Sequence, residues 1–373
     1  VLSRFDDYPI HQVAAPIVEA GGGHPDFYDR FWFNGYTDEV FFAVALGTYR
    51  NRGIIDAAFS VVCDGVQRSV FASGRAPSEP AVTRIGPITV DIVEPMRVTR
   101  IAVAAPEQEM SAELVFTART AAYEEPRQTR HQGARLFLDL TRATQFGSWS
   151  GRLTSGPSTV LVDERTFWGT KDRSWGIRPV GDQPAMAPST SIPQVCFFWA
   201  PINFADAAFH YIVFEDADGV PWSEGAAVLP VIDRQEDTVG PSCHFEDLDS
   251  VALGIDWEPG LRRARHAELS FQRRGSAQSE RVDLEPKLTF RMSGAGYGHP
   301  TWSHGRWHDE LAIGGEVFAV SDLDNTEFRN LHVQQVMRAT WGERTGLGVL
   351  EQLVIGPHRA RRLDGLTDGA RTP

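Results

Sequence analysis

Phe59-Ser60-Val61-Val62-Cys63-Asp64-Gly65-Val66 decides the fold class of this chain. A run rich in apolar residues climbs from Ile55 to Cys63, breaks at an acidic glycine turn, and resumes from Val66 to Ala72. Such residues suit a pleated, half-buried surface, and Asp-Gly supplies the backbone freedom of a tight reversal. The same pattern recurs at 41–46, 88–93, 98–104 and 112–117. Thr99, Ile101 and Val103 alternate with Val98, Arg100 and Ala102, which gives one packed face and one wet face. The second half repeats the style at 195–199, 209–214, 251–257, 267–271 and 282–290. Few segments hold a helical period over three turns, and 326–341 fits neither period cleanly. The chain reads as all-β and antiparallel.

An internal echo points to two similar halves. Ile212-Val213-Phe214-Glu215-Asp216-Ala217-Asp218-Gly219-Val220 repeats the strand and acidic glycine turn of the opening stretch. Gly86-Pro87 and Gly240-Pro241 follow about twenty residues later in each half, then strands joined across Glu94-Pro95 and Glu258-Pro259. Glu, Arg, Pro and Gln outnumber large aliphatics between 121 and 151, so the expected division is 1–145 and 146–373, the latter with an additional C-terminal segment. Strands of this number must close on themselves or stack, because open edges pair between molecules. Closed barrels of modest strand number retain an interior of ligand size.

At 373 residues, 42% hydrophobic and 23% charged, the chain is long enough for two cores. Its net charge of -13 argues against nucleic-acid binding and against an anionic membrane surface, both of which need a concentrated positive footprint. Cys63, Cys196 and Cys243 are too few and too far apart for a disulfide framework or a cysteine metal site, and each is expected as a small buried hydrophobe. No integral membrane segment and no cofactor or metal signature is expected, and a cytoplasmic setting fits best. The subunit count is not readable.

Two polar clusters carry the candidate chemistry. Phe167-Trp168-Gly169-Thr170-Lys171-Asp172-Arg173-Ser174-Trp175-Gly176 packs an acid, two bases and two indoles between glycines. Such groups are costly to bury without partners, so the cluster marks a rigid junction or the polar end of an apolar pocket. Asp172 becomes a proton donor if Trp168 and Trp175 desolvate it and Arg173 points away; otherwise it accepts backbone N–H groups in a sharp turn. The second cluster, His299-Pro300-Thr301-Trp302-Ser303-His304-Gly305-Arg306-Trp307-His308, follows the glycine-rich turn around Tyr297. Histidine exchanges protons near neutrality and the indoles form apolar walls. Its three histidines fit no zinc spacing. Glu351 lies among aliphatic residues, where a buried carboxylate needs an Arg or His partner. Arg119 is a candidate partner for a carboxylate at the junction, Trp149 a candidate pocket wall, and Asn34 and Tyr36 read as a local Asx turn.

The Asp172-Arg173-Ser174-Trp175-Gly176 core, the Gly296-Tyr297-Gly298-His299-Pro300 and Trp302-Ser303-His304-Gly305 block, and the Leu350-Glu351-Gln352-Leu353 tail resemble one bacterial group. It comprises paired lipocalin-like domains and includes hydroxyneurosporene synthase (carotenoid 1,2-hydratase) and the AttH-like proteins, and the likeness spans nearly the whole chain. The resemblance implies tandem lipocalin-like antiparallel β-barrels or strongly curled sheets, with a hydrophobic cavity where they meet. It also implies cofactor-independent lyase, hydratase or cyclase chemistry on an isoprenoid-like or polycyclic molecule. In that reading Asp172 donates a proton, and His304 or His299 positions or deprotonates water. Arg173 and Glu351 hold the polar shell, and Trp168, Trp175, Tyr297, Trp302 and Trp149 face the substrate. The alternative is a protein that binds a hydrophobic small molecule without changing it.

Overall fold

A computed structural model describes residues 12–184, 193–233 and 236–369. Among the described residues the chain is all-β, with only short 3-10 turns between strands. The first sheet is nearly closed into a barrel. It runs from the edge strand Leu311–Ala319 through Val66–Arg75, Ile54–Cys63, Phe41–Tyr49, Phe27–Tyr36, Trp168–Ile177, Arg135–Ser155, Met110–Ala118, Val98–Ala105 and Ile88–Glu94 to Arg84–Ile85. The second runs from Glu246–Asp247 through Pro221–Pro230, Ala207–Glu215, Val195–Trp199, Arg344–Ile355, Val333–Trp341, Ser279–Arg291 and Ala264–Gln272 to Val251–Trp257. The named neighbours on both paths pair antiparallel.

The echoed hairpins hold matching places. In each sheet the one built on the acidic glycine turn lies towards one end of the strand order and the Glu-Pro hairpin towards the other. Asp64 and Gly65 both take positive φ (51° and 74°), which matches a two-residue turn to the right-handed twist of its strands. The strand Trp168–Ile177 answers the choice left open for the Asp172 cluster: it is a central strand, paired on both sides, and not a turn.

Three other expectations change. Asn34 and Tyr36 lie within the strand Phe27–Tyr36, not in an Asx turn, because their side chains find partners across the sheets. The cut after residue 145 falls inside the 21-residue strand Arg135–Ser155, whose run of Arg, Asp, Thr and Gln reads as a linker in the sequence. Trp168–Ile177 and Leu311–Ala319 also pair within the first sheet, so it draws on sequence from both halves. Cys63 and Cys196 are buried free thiols, but Cys243 is half-buried and donates to the Asp237 carbonyl.

Each sheet curls around its own apolar core, one centred on Phe33, Phe42, Phe116 and Trp149, the other on Phe198, Phe209, Phe271 and Trp341. A third core lies between the sheets, where Trp32, Tyr36 and Phe41 meet Phe197, Trp199 and Phe290. Phe41 and Phe290 stack across it with centroids 4.6 Å apart. Polar ties flank that seam. Asn34 Oδ1 accepts from the Thr170 N–H and hydroxyl, both at 2.8 Å, while its Nδ2 donates to Gln334 Oε1 at 3.1 Å. Arg119 meets the Asn203 carbonyl oxygen and the backbone oxygens of Phe204 and Ala205, in place of the expected carboxylate.

Gly169 shows why the Asp172 strand needs its glycine. Trp149 Nε1 donates to the Asn34 carbonyl at 2.8 Å, passing so close that a Cβ on Gly169 would lie 2.0 Å from that oxygen and 2.6 Å from the indole nitrogen. Gly169→Ala should therefore break this bond and push the strand outwards. The expected cost is about 1–3 kcal/mol, the range of core overpacking, measured by urea denaturation; an unchanged midpoint would refute the assignment.

Candidate functional site

The strand Trp168–Ile177 sends alternate side chains to opposite faces. Asp172 turns to the seam, beside Trp32 and Thr144. Arg173 turns to the other face, where it donates to Asp29 Oδ1 and the Arg30 carbonyl and lies 3.8 Å over the Phe31 ring. The partner of Asp172 is Arg142, from Arg135–Ser155, with Nε 3.4 Å from Asp172 Oδ2. Arg142 also approaches Glu125 at 3.8 Å. Glu125 is fully enclosed and accepts from Thr144 Oγ1 at 2.8 Å, with His210 Nε2 at 2.9 Å and Trp199 Nε1 at 3.3 Å.

One guanidinium does not serve every acid around it. Burial pushes Asp172 up to about 7; Arg142 opposes the shift, and the charges of Glu125 and Glu351 reinforce it. Glu125 goes the other way, since Arg142 and His210 outweigh its burial and hold it below the usual carboxylate range. Arg142 is raised despite its burial, by Asp172 and Glu125. One oxygen of each acid, Asp172 Oδ1 and Glu125 Oε2, has no hydrogen-bond partner, but the other oxygen of Glu125 gathers three donors. We therefore assign the ionised carboxylate to Glu125 and the proton near neutrality to Asp172.

In front of Arg142 opens a cleft of about 310 Å³ between the sheets. Phe197, Phe214, Leu353 and Ile355 from the second sheet make its apolar side, with Phe328 from a loop. Its polar lining is Arg142, Arg178, Arg329, Glu351 and His332, together with Tyr297. Glu351 finds the partner its aliphatic surroundings demanded: His332 Nε2 lies 2.6 Å from Oε1, and Gln334 donates to Oε2 at 2.7 Å. A second cleft of about 290 Å³ shares Arg178, Tyr297 and Gly298 with the first and reaches His304. Tyr297 stands between the two histidines, its centroid 4.5 Å from His304 and 5.1 Å from His332.

A model of DUF8625, a family of unknown function, matches residues 2–364. The chain belongs to that family. No curated protein matches it. Its fold is similar to the crystal structure of a Nitrosomonas europaea protein provisionally called AttH, with a TM-score of 0.52 and 13% identity over 88% of this chain and 93% of that one. At that identity the likeness speaks for the fold.

In this DUF8625 chain the fold brings Asp172, Glu351, Tyr297 and His304 to adjoining spaces, although Asp172 lies behind Arg142 and does not line either cleft. His304 is pinned. Arg30 nitrogens lie 2.6 and 2.7 Å from its Nδ1 and Nε2, and the Ala295 carbonyl lies 2.8 Å from Nε2. Burial, then Arg30 and Arg178, hold it well below its ordinary pKa, so it is neutral and already hydrogen-bonded. Six other expected residues lie off the clefts. His299 Nδ1 accepts from the Thr301 and Trp302 N–H groups, which makes it a turn cap. Arg173 serves Asp29, and Trp175 points to solvent at 41% exposure. Trp168 carries Arg119 over its ring at 4.7 Å. Trp302 stacks on Phe71 at 5.7 Å, and Trp149 is enclosed in the first core.

Arg142, Glu125, His210, His332 and Arg178 had no place among the expected residues. The available signal is a lone ionisable residue inside an apolar strand pattern, as in Phe209-His210-Tyr211 and Leu331-His332-Val333. Cys196, Glu215 and His358 also converge, with ligand atoms within 4.8 Å of one another. Arg361 forks onto Glu215 at 3.0 and 3.1 Å, and His358 Nδ1 accepts from the Arg361 N–H, leaving Nε2 to donate to Glu215 at 2.8 Å. Those bonds outweigh burial and take Glu215 to about 2. A metal would have to displace a cation there, so the group is better described as an ion-paired brace.

The shift of Asp172 fixes a pH dependence. A carboxyl raised in the fold stabilises it fully below about pH 4 and loses that contribution as pH rises through about 7. Asp172→Asn stays neutral throughout. Its stability relative to the unmodified protein should therefore improve by roughly 2–3 kcal/mol from pH 5 to pH 8, read from melting curves of both. A difference that is flat or falls with pH would contradict the protonated assignment.

Proposed function

We propose that the cleft between the sheets binds a hydrophobic small molecule and that Glu351 and His332 exchange protons with it, in a cofactor-independent lyase, hydratase or cyclase reaction. The observation that carries this is the pairing of an apolar wall with a hydrogen-bonded carboxyl–imidazole pair, backed by a guanidinium and a second carboxyl that burial raises to about 7. A cleft of this size and make-up suits a compact apolar ligand with few polar contacts.

In a hydration, one member of the pair gives a proton to an alkene carbon. The cation so formed is sheltered by the faces of Phe197, Phe214 and Tyr297. Water adds to the cation, and the other member takes the proton that water releases. Dehydration is the same sequence reversed, and cyclisation replaces water by a second alkene. Asp172 acts through Arg142 as a positioning residue: its protonation state sets how much of the guanidinium charge falls on Glu351. His304 keeps Tyr297 in place and transfers no proton.

Incubation with isoprenoid alkenes and alcohols, followed by mass spectrometry, should give products gained or lost by one water or isomerised, without added cofactor. Glu351→Gln should lower turnover at least about a hundredfold, the scale of lost general acid–base catalysis. Asp172→Asn should lower it less and displace the pH optimum. Binding without conversion across the panel would leave a carrier in place of an enzyme, and full turnover by Glu351→Gln would reject the assigned pair.

A further inference from the structure

Four charged side chains line the larger cleft, and three are answered by the protein. Arg142 has Asp172 and Glu125; Arg329 holds both oxygens of Glu316 at 2.6 and 2.7 Å; Glu351 has His332 and Gln334. Arg178 differs. Among the described residues no carboxylate and no carbonyl meets its guanidinium, and Nη2 is buried without a hydrogen-bond partner. Its neighbours are rings, with the guanidinium carbon 4.3 Å from the Tyr28 centroid and 5.9 Å from that of Tyr297. The Tyr28 hydroxyl is also buried without a partner.

Arg178 is half-buried, and a guanidinium with an enclosed nitrogen and no counter-charge is a costly arrangement for a fold to keep. It is placed at the one wall common to both clefts. It would also oppose the positive charge that an alkene protonation develops, unless something neutralises it. We propose that Arg178 is the anchor for the carboxylate of an amphipathic monoanion, whose apolar body lies against Phe197, Phe214 and Leu353. This deepens the proposed function and rests on that reading of the cleft. A planar fork of N–H donors matches a carboxylate in two parallel hydrogen bonds. A dianionic phosphate would need a second free cation, and the other arginines at the cleft are already engaged.

Matched probes test this: decanoate against decan-1-ol, and geranate against geraniol, titrated at pH 7.5 with tryptophan fluorescence as the readout. The acid of each pair should bind about tenfold tighter or better, the ratio expected of a charge-assisted hydrogen bond. Arg178→Met should bring the ratio to near unity by weakening the acid and leaving the alcohol unchanged, which also reports that the cleft is intact. Arg178→Lys should retain part of the preference. Alcohols that bind the unmodified protein as tightly as acids, or an Arg178→Met protein that keeps its preference, would overturn the head-group assignment while leaving the apolar cleft standing. Tighter binding of decyl phosphate than of decanoate would overturn the monoanion. Failure of both members of both pairs to bind would remove the cleft reading together with this one.

Discussion

Arg142 is the interaction on which the rest of the site depends. Its strand belongs to the first sheet, its guanidinium meets two carboxyls from that part of the chain, and its charge reaches Glu351 on the second sheet. Coulomb attraction in a water-poor seam is strong enough to ionise one buried acid but not every acid nearby. Glu125, with His210, Thr144 and Trp199 as further donors, takes the charge. Asp172, whose burial outweighs the pull of Arg142, is raised to about 7. Two buried acids beside one cation, one raised because its burial wins and one lowered because its partners win, is the pattern expected where protons are to be held and released.

The two sheets make this possible because each is self-sufficient in apolar packing. The cores around Trp149 and Trp341 free the seam from supplying all the stability, so it can carry Asn34, Gln334, Arg142 and Glu125 beside Trp32 and Phe290. Where the seam is packed, as at Phe41 and Phe290, it holds the sheets in register. Where it opens, at Phe197, Phe214 and Leu353, it leaves the cleft. The loop carrying Tyr297 and His304 is fastened to the first sheet through Arg30 and through Asp56, which accepts from the Gly305 N–H at 2.7 Å. That fastening keeps Tyr297 at the junction of the two clefts.

Much of the fold was legible in the sequence. Val98–Ala105 read directly because its burial follows a period of two, and Ile54–Cys63 because a nearly continuous apolar run ending in a glycine turn suits a strand buried on both faces. The strands Phe27–Tyr36 and Arg135–Ser155 did not, because their seam faces carry Asn34, Arg142 and Thr144, which look like loop chemistry until the second sheet supplies partners. The site divides in the same way. Asp172 and Glu351 were conspicuous as carboxylates among large apolar side chains. Arg142, His210 and His332 come from separate strands, and no spacing along the chain encodes their approach. The indoles misled: Trp149 and Trp302 are packed and Trp175 is exposed, as is common for aromatic residues that line no pocket.

Anomalous diffraction from crystals soaked with 10-bromodecanoate tests the central claim most directly. A bromine peak among Phe197, Phe214 and Leu353, with the chain leading back towards Arg142 and Arg178, is the result expected of a ligand cleft between two self-packed sheets. A peak only on the outer surface, or within either sheet's own core, would contradict it.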